Sequence, residues 1–280
     1  MLRSLKDLKD YTIQATDGTI GHVQDFYFDD EAWVVRYLIV DTGTWLSSRK
    51  VLISPISIGQ PNWDDRVLPV SITKQQVRNS PEIDTQKPVS RQHEMGYLSY
   101  YGYENYWGGA GLWGAIPYPS KTMPGYPELV AKHRAAQPKA QAARLDNGVP
   151  LTVEDPHLRS CEAMIDYHIQ TTDGVIGHVQ GLLVDEQTWA IRYLVVDTNN
   201  WWLDHWVLVA PHWIKHMSWS DTTVSLDLTR DQVKNAPDYD PSILPERSQE
   251  LGIYKHQGRP VHWVPTPKAK GKPAHVISPP

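Results

Sequence analysis

Cysteine occurs once in these 280 residues, at Cys161, so no disulfide framework can form within the chain. Phenylalanine is nearly missing too, with two residues beside 12 Trp and 14 Tyr. No apolar run approaches the ~18–20 residues of a membrane-spanning helix. The opening MLRSLKDLKDY is charged and lacks the apolar stretch of a secretory leader, so the expectation is a cytoplasmic protein without an integral membrane segment. Neither sign of charge dominates: 27 Lys and Arg face 32 Asp and Glu, for a formal net charge of −5. The two signs are interspersed, so there is no basic footprint for nucleic acid. Phosphate-cradling glycine loops and Ser/His/Asp or Cys/His constellations are not legible either. The glycines of GGAGLWG (108–114) follow no strand and precede no Lys-Ser/Thr pair.

The chain does contain a repeat. IQATDGTIGHVQ at Ile13 returns as IQTTDGVIGHVQ at Ile169, with two changes in twelve. At an offset of 156, Leu2 to Trp107 aligns with Leu158 to Trp263 without a gap, and 41 of 106 positions are identical. A unit this long exceeds the ~20–50 residues of solenoid repeats and is close to the ~100 that carry their own core. The organisation read from it is a first repeat at 1–107, a Gly/Pro/Ala-rich linker at 108–157, a second repeat at 158–263 and a Pro/Lys-rich tail at 264–280. Linker and tail lack strand or helix periodicity.

Each repeat reads as predominantly β. GHVQDFYFDD (21–30) and WVVRYLIVDT (33–42) are rich in β-branched and aromatic residues and end in polar turns. Asp17-Gly18 and Asp173-Gly174 mark tight hairpin turns, where glycine tolerates a positive φ. The apolar runs before Asp41 and Asp197 suit a strand covered on both faces. KVLISP (50–55) and WVLVAP (206–211) add another strand closed by proline. TKQQVRNSP (73–81) and TRDQVKNAP (229–237) read as one short helix each, with Thr73 and Thr229 as N-caps. The expected fold class is mainly β: two tandem small barrels, each followed by a short helix and a C-terminal arm, since closure removes exposed edges.

This order of elements resembles the PRC-barrel family. The resemblance rests on D-G-x-x-I-G-x-V-x (Asp17 to Gln24, Asp173 to Gln180), the R-Y-L-V-V-D-type strand (Arg36 to Asp41, Arg192 to Asp197) and the V-L-I-S-P strand end (Val51 to Pro55, Val207 to Pro211). Within the motif, Gly18, Gly21, Gly174 and Gly177 are the repeated turn glycines. The family includes the cytoplasmic domain of the photosynthetic reaction-centre H subunit and the C-terminal domain of RimM-type ribosome maturation factors. Stand-alone bacterial tandem proteins look closest. The resemblance implies a docking module without catalytic residues, connected with a membrane-bound or electron-transfer complex. The chain departs from a true H subunit in having no transmembrane helix ahead of the first barrel, and from RimM in lacking its N-terminal domain.

Candidate residues follow. IVDTGT (39–44) resembles the way an aspartic protease presents its carboxylate, but the second copy reads VVDTNN, so Asp41 and Asp197 are expected to end a strand and cap a turn. His205, His212 and His216 occur in the second copy alone, at spacings that match no standard zinc pattern. They motivate the alternative reading, a small-molecule or metal sensor using the second repeat. His22 and His178 are expected to bond across strands. Trp33/Trp189, Trp45/Trp201, Trp63/Trp219 and Trp107/Trp263 are duplicated and suit barrel ends, whereas Trp202, Trp206 and Trp213 are candidates for a protein-binding surface. Arg36 and Arg192 lie in buried-looking strands and must be paired. The candidate partners are Asp17, Asp29 or Asp41 in the first repeat, and Asp173, Asp185 or Asp197 in the second. The arms either fold back or cross, and an intramolecular pseudo-twofold pair is expected. No cofactor, metal or catalytic residue is assigned. The expected function is a non-enzymatic docking or adaptor protein with an unknown protein partner.

Overall fold

The computed structural model describes residues 1–81, 89, 91–107, 111–114, 116–119, 158–198, 205–243 and 245–259. The tail, most of the linker, and Trp201, Trp202 and Trp263 lie outside them.

The first repeat runs β1 (Leu2–Ser4), α1 (Leu5–Leu8), β2 (Thr12–Ala15), β3 (Gly18–Asp29), β4 (Val34–Asp41), β5 (Lys50–Ile53), β6 (Val67–Pro69), α2 (Lys74–Arg78) and α3 (Arg91–Tyr101). The second runs β7 (Leu158–Ser160), β8 (His168–Thr171), β9 (Gly174–Asp185), β10 (Ile191–Asp197), β11 (Trp206–Val209), β12 (Ile214–Ser218), β13 (Thr223–Leu226), α4 (Arg230–Lys234) and α5 (Arg247–His256). The fold is mainly β, as the patterning requires. One sheet has the order β5-β4-β3-β2-β6 and the other β11-β10-β9-β8-β13-β12. In both, a parallel pairing (β2 with β6, β8 with β13) joins the ends of the repeat.

The repeated glycines explain why the motif is retained. Gly18 and Gly174 begin the long strands at φ of 139° and 142°, a region closed to side chains. Gly21 and Gly177 serve packing: a Cβ at either position would stand 1.8 Å from the carbonyl oxygen of Asp41 or Asp197. The Asp of each D-G pair has a different use. Asp17 Oδ1 accepts from Lys74 N at 2.7 Å, and Asp173 Oδ1 from Arg230 N at 2.7 Å, so the hairpin turn caps the helix. Thr73 and Thr229 complete that start as capping boxes with Gln76 and Gln232.

The sheets are not built from one repeat each. β1 pairs antiparallel with β9, Leu2 opposite Asp185 and Ser4 opposite Leu183. β7 pairs with β3 in the same register, Leu158 opposite Asp29 and Ser160 opposite Tyr27. On one side β3 is covered first by β2 and then, from Phe26 onward, by the other repeat. Without that exchange the second half of each long strand would be a bare edge. The expected intramolecular pairing is present, then, but the crossing elements are the N-terminal strands. The arms fold back, with α3 and α5 on their own sheets. Tyr37 donates to Glu94 at 3.0 Å, and Tyr193 to Glu250 at 3.0 Å. One contiguous apolar core extends through both repeats.

Candidate functional site

Where the exchanged strands turn back into their own repeats, a cavity of about 370 Å³ opens between them. Its position follows from the pseudo-twofold. Phe26 and its counterpart Leu182 line it, as do Asp25 and its counterpart Gly181. The volume lies within the ~300–1,000 Å³ of small-ligand sites.

Asp25 is 8% exposed and is committed to the opposite repeat. Its Oδ2 accepts from the Ser160 hydroxyl at 2.5 Å and its Oδ1 from Glu162 N at 3.0 Å, capping the 3-10 turn Glu162–Met164. Burial raises this carboxyl above its ordinary 3.8, and the bonds from Ser160, Phe26 and Glu162 oppose the shift. Cys161 is buried beside it. Desolvation first, then the charge of Asp25, pushes the thiol well up, which leaves it a weak nucleophile. At the rim, Lys9 Nζ pairs with Glu162 Oε1 at 2.9 Å. Asp25 was hidden from the self-comparison because its counterpart is Gly181, although the adjacent polar pair Gln24-Asp25 interrupts the alternation at a register shift of the strand.

Around the cavity the junction is reciprocal. Arg3 Nε binds Glu186 Oε2 at 3.1 Å, and Arg159 Nε binds Asp30 Oδ2 at 3.0 Å. Each guanidinium lies over a tryptophan of its own repeat, Arg3 over Trp63 at 4.1 Å and Arg159 over Trp219 at 4.4 Å. Trp33 and Trp189 adopt φ of 54° and 58°. Their carbonyls accept from Ile191 N at 2.7 Å and Val35 N at 2.9 Å, across the twofold. Two of the duplicated pairs, Trp33/Trp189 and Trp63/Trp219, thus serve the junction, whereas Trp45 donates to the Ile20 carbonyl of its own repeat.

The remaining candidates are dispersed. Arg36, 2% exposed, pairs with Asp29 (Nη2–Oδ2 3.0 Å) and not with Asp41. It also donates to the Leu112 carbonyl and lies over Tyr106 at 3.8 Å, so the arm covers it. Asp41 Oδ1 accepts from Gly43 N at 2.8 Å, a turn cap. Arg192 is only half-buried, and its charge acts on Tyr193, Tyr254 and His212. Asp185 spends Oδ1 on the N–H groups of Gln187 and Thr188, and Asp197 ends β10 opposite Trp206.

Trp213 corrects the expected contact surface. It is 1% exposed, at 5.3 Å from Tyr254 in an edge contact, so it belongs to the core. Trp206 is half-buried and its carbonyl accepts from Tyr239 N at 2.7 Å. Trp202 lies outside the described residues. The second-copy histidines do not converge. His205 pairs with Asp238, His212 stacks on Tyr254 at 5.5 Å, and His216 is exposed on β12. Burial lowers the His212 pKa, and the charges of Arg259 and Arg192 add to it. His22 Nδ1 lies 3.5 Å from the Thr12 hydroxyl on the neighbouring strand. His178 instead bonds Gln180 on its own strand at 3.1 Å.

Comparison with known proteins places part of this architecture. Residues 2–76 match the family model of the PRC-barrel domain, which ends inside α2. Over 63 residues the chain is 40% identical to an uncharacterized protein of Deinococcus radiodurans, which covers 22% of each protein. The match therefore spans about a fifth of that relative's length. No helix among the described residues is long and apolar enough to cross a membrane.

Proposed function

We propose that this chain, whose residues 2–76 match the PRC-barrel domain, is a non-enzymatic docking or adaptor protein that offers a rigid pair of β modules to a protein partner. One observation carries the reading. Among the described residues, three polar pairs that recur at the 156-residue offset are occupied in holding the fold: Asp17 and Asp173 cap helices, Arg3 and Arg159 lock the repeats together, and Glu94 and Glu250 anchor the arms. What the pair leaves outward is surface, including exposed Ile243, Leu251, Val175 and Tyr100. Strand exchange supports rigidity, since moving one repeat against the other breaks backbone ladders on both sides. A partner in a membrane-bound or electron-transfer complex belongs to this proposal and comes from the H-subunit resemblance.

The test is site-specific photo-crosslinking in cells, with the cross-linker placed in turn at Val175, Ile243 and Leu251. A discrete heterologous adduct formed from one face and not from the others is the expected result. Adducts from every face, or from none, would count against docking.

A further inference from the structure

The surface that each repeat offers to the other is self-complementary. Arg3 meets Glu186 just as Arg159 meets Asp30, and β1 lies on β9 as β7 lies on β3. Such an isologous surface would accept a second copy of the same repeat from another chain as readily as its neighbour. The axial cavity is where the symmetry fails. On the first repeat the lining carries Lys6, Lys9 and Asp25; at the same three positions the second carries Glu162, Ile165 and Gly181.

We propose that these differences are a partner-selecting device, which matches a first repeat to a second repeat and opposes pairing of either with a second copy of itself. The charges argue for it. In the observed pairing, the two lysines of the first repeat face Glu162 and Asp166 of the second, with Lys9 bonded to Glu162. Pairing two first repeats would place four lysines around the rim, with Asp10 at the position of Asp166, and two buried Asp25 carboxylates across one cavity. Pairing two second repeats would gather four carboxylates with no base and leave both 3-10 turns without the Asp25 cap. Juxtaposed like charges disfavour both wrong pairings, whereas the exposed Lys9–Glu162 bond itself adds little affinity. The unlike pairing leaves a single buried carboxylate in the cavity, held by donors from Ser160 and Glu162.

The pseudo-symmetry makes the device transferable, and that is the test on the full-length chain. Gly181 has room for a side chain, since an added Cβ meets Val195 at 3.9 Å. An aspartate there would stand toward Ser4 and Lys6 as Asp25 stands toward Ser160 and Glu162. Asp25→Gly is expected to lower the thermal midpoint by about 2–4 °C through loss of the cap. Gly181→Asp should lower it more at about pH 8 than at about pH 5, because two carboxylates then face each other beside Lys6, Lys9, Glu162 and Asp166. The double variant Asp25→Gly/Gly181→Asp should recover most of the loss, with a single carboxylate again in the cavity. Light scattering after refolding at high protein concentration reads partner choice directly. Wild type should return as monomer and Glu162→Lys as a mixture with dimer, with Lys9→Glu/Glu162→Lys monomeric again. A double aspartate swap no more stable than its worse single variant, or Glu162→Lys refolding only to monomer, would overturn the proposal.

Discussion

Gly21 and Gly252 are both small residues kept in both copies, yet the structure gives them opposite demands. At Gly21 a methyl group would collide with the Asp41 carbonyl, a backbone atom that cannot swing away. Gly21→Ala, or Gly177→Ala in the second repeat, is expected to cost about 3 kcal/mol or more in a urea titration. Gly252 faces open space on the exposed side of α5, and Gly252→Ala should stabilise by about 0.5–1 kcal/mol. Two aspartates divide in the same way with pH. The N–H of Arg230, then Thr171, lowers Asp173 from 3.8, so its contribution is present above 3.8 and is lost as pH falls through the lowered folded value. Burial raises Asp25, so the folded state holds that proton more tightly than the unfolded chain does. Its contribution is fullest below 3.8 and is lost as pH rises from there through the raised folded value. Asp25→Asn should flatten that part of a stability-versus-pH curve, and Asp173→Asn should flatten the acid limb below 3.8. Unchanged slopes would remove these assignments.

The elements differ in how openly the sequence announces them. The helices α2 and α4 were legible because their instructions are local: Thr73 or Thr229, Gln three residues on, and proline at Pro81 or Pro237. Helices α3 and α5 were not, though Glu94 and Glu250 stand out in the self-alignment. What places them is distant: the Tyr37 and Tyr193 hydroxyls, and in the first arm Tyr97, which donates to the Leu52 carbonyl at 3.0 Å. The cost of burying a carboxylate is offset by such donors. Tyr193→Phe withdraws one donor from Glu250, 4% exposed, and is expected to destabilise by about 1–2 kcal/mol by chemical denaturation. The same change at exposed Tyr100, whose OH bonds the Gln76 carbonyl at 2.9 Å, should cost well under half as much.

At the scale of the molecule, the exchanged strands make the two repeats one folding unit. Arg36 touches both the Leu112 carbonyl and Asp29, and Asp29 is the strand partner of Leu158, so the chain just past the first arm returns to the place where the second repeat begins. Cohesion should therefore survive loss of chain continuity. A protease site placed between residues 130 and 140 is expected to give, after cleavage, two fragments that co-elute at the size of the intact chain. Separation of the fragments in native buffer would show that covalent linkage, and not strand exchange, holds the pair. The ion pairs contribute alongside the ladders. A double-mutant cycle on Arg159 and Asp30 is expected to give a coupling of about 1 kcal/mol, since both side chains are mostly sheltered.

By itself the sequence determined that there are two copies, that each is mainly β, that D-G turns and capped helices recur, and that Arg36 needs an aspartate. These features are written in local pattern and in self-comparison, and their physics acts within a few residues or along one strand. Tertiary structure alone decided that Asp29 is that aspartate, that Trp213 is core and that Asp25 serves the opposite repeat. It also decided that N-terminal strands, and not arms, cross between repeats. Edge coverage and burial depend on which surfaces meet in space, and neither leaves a periodicity in the chain.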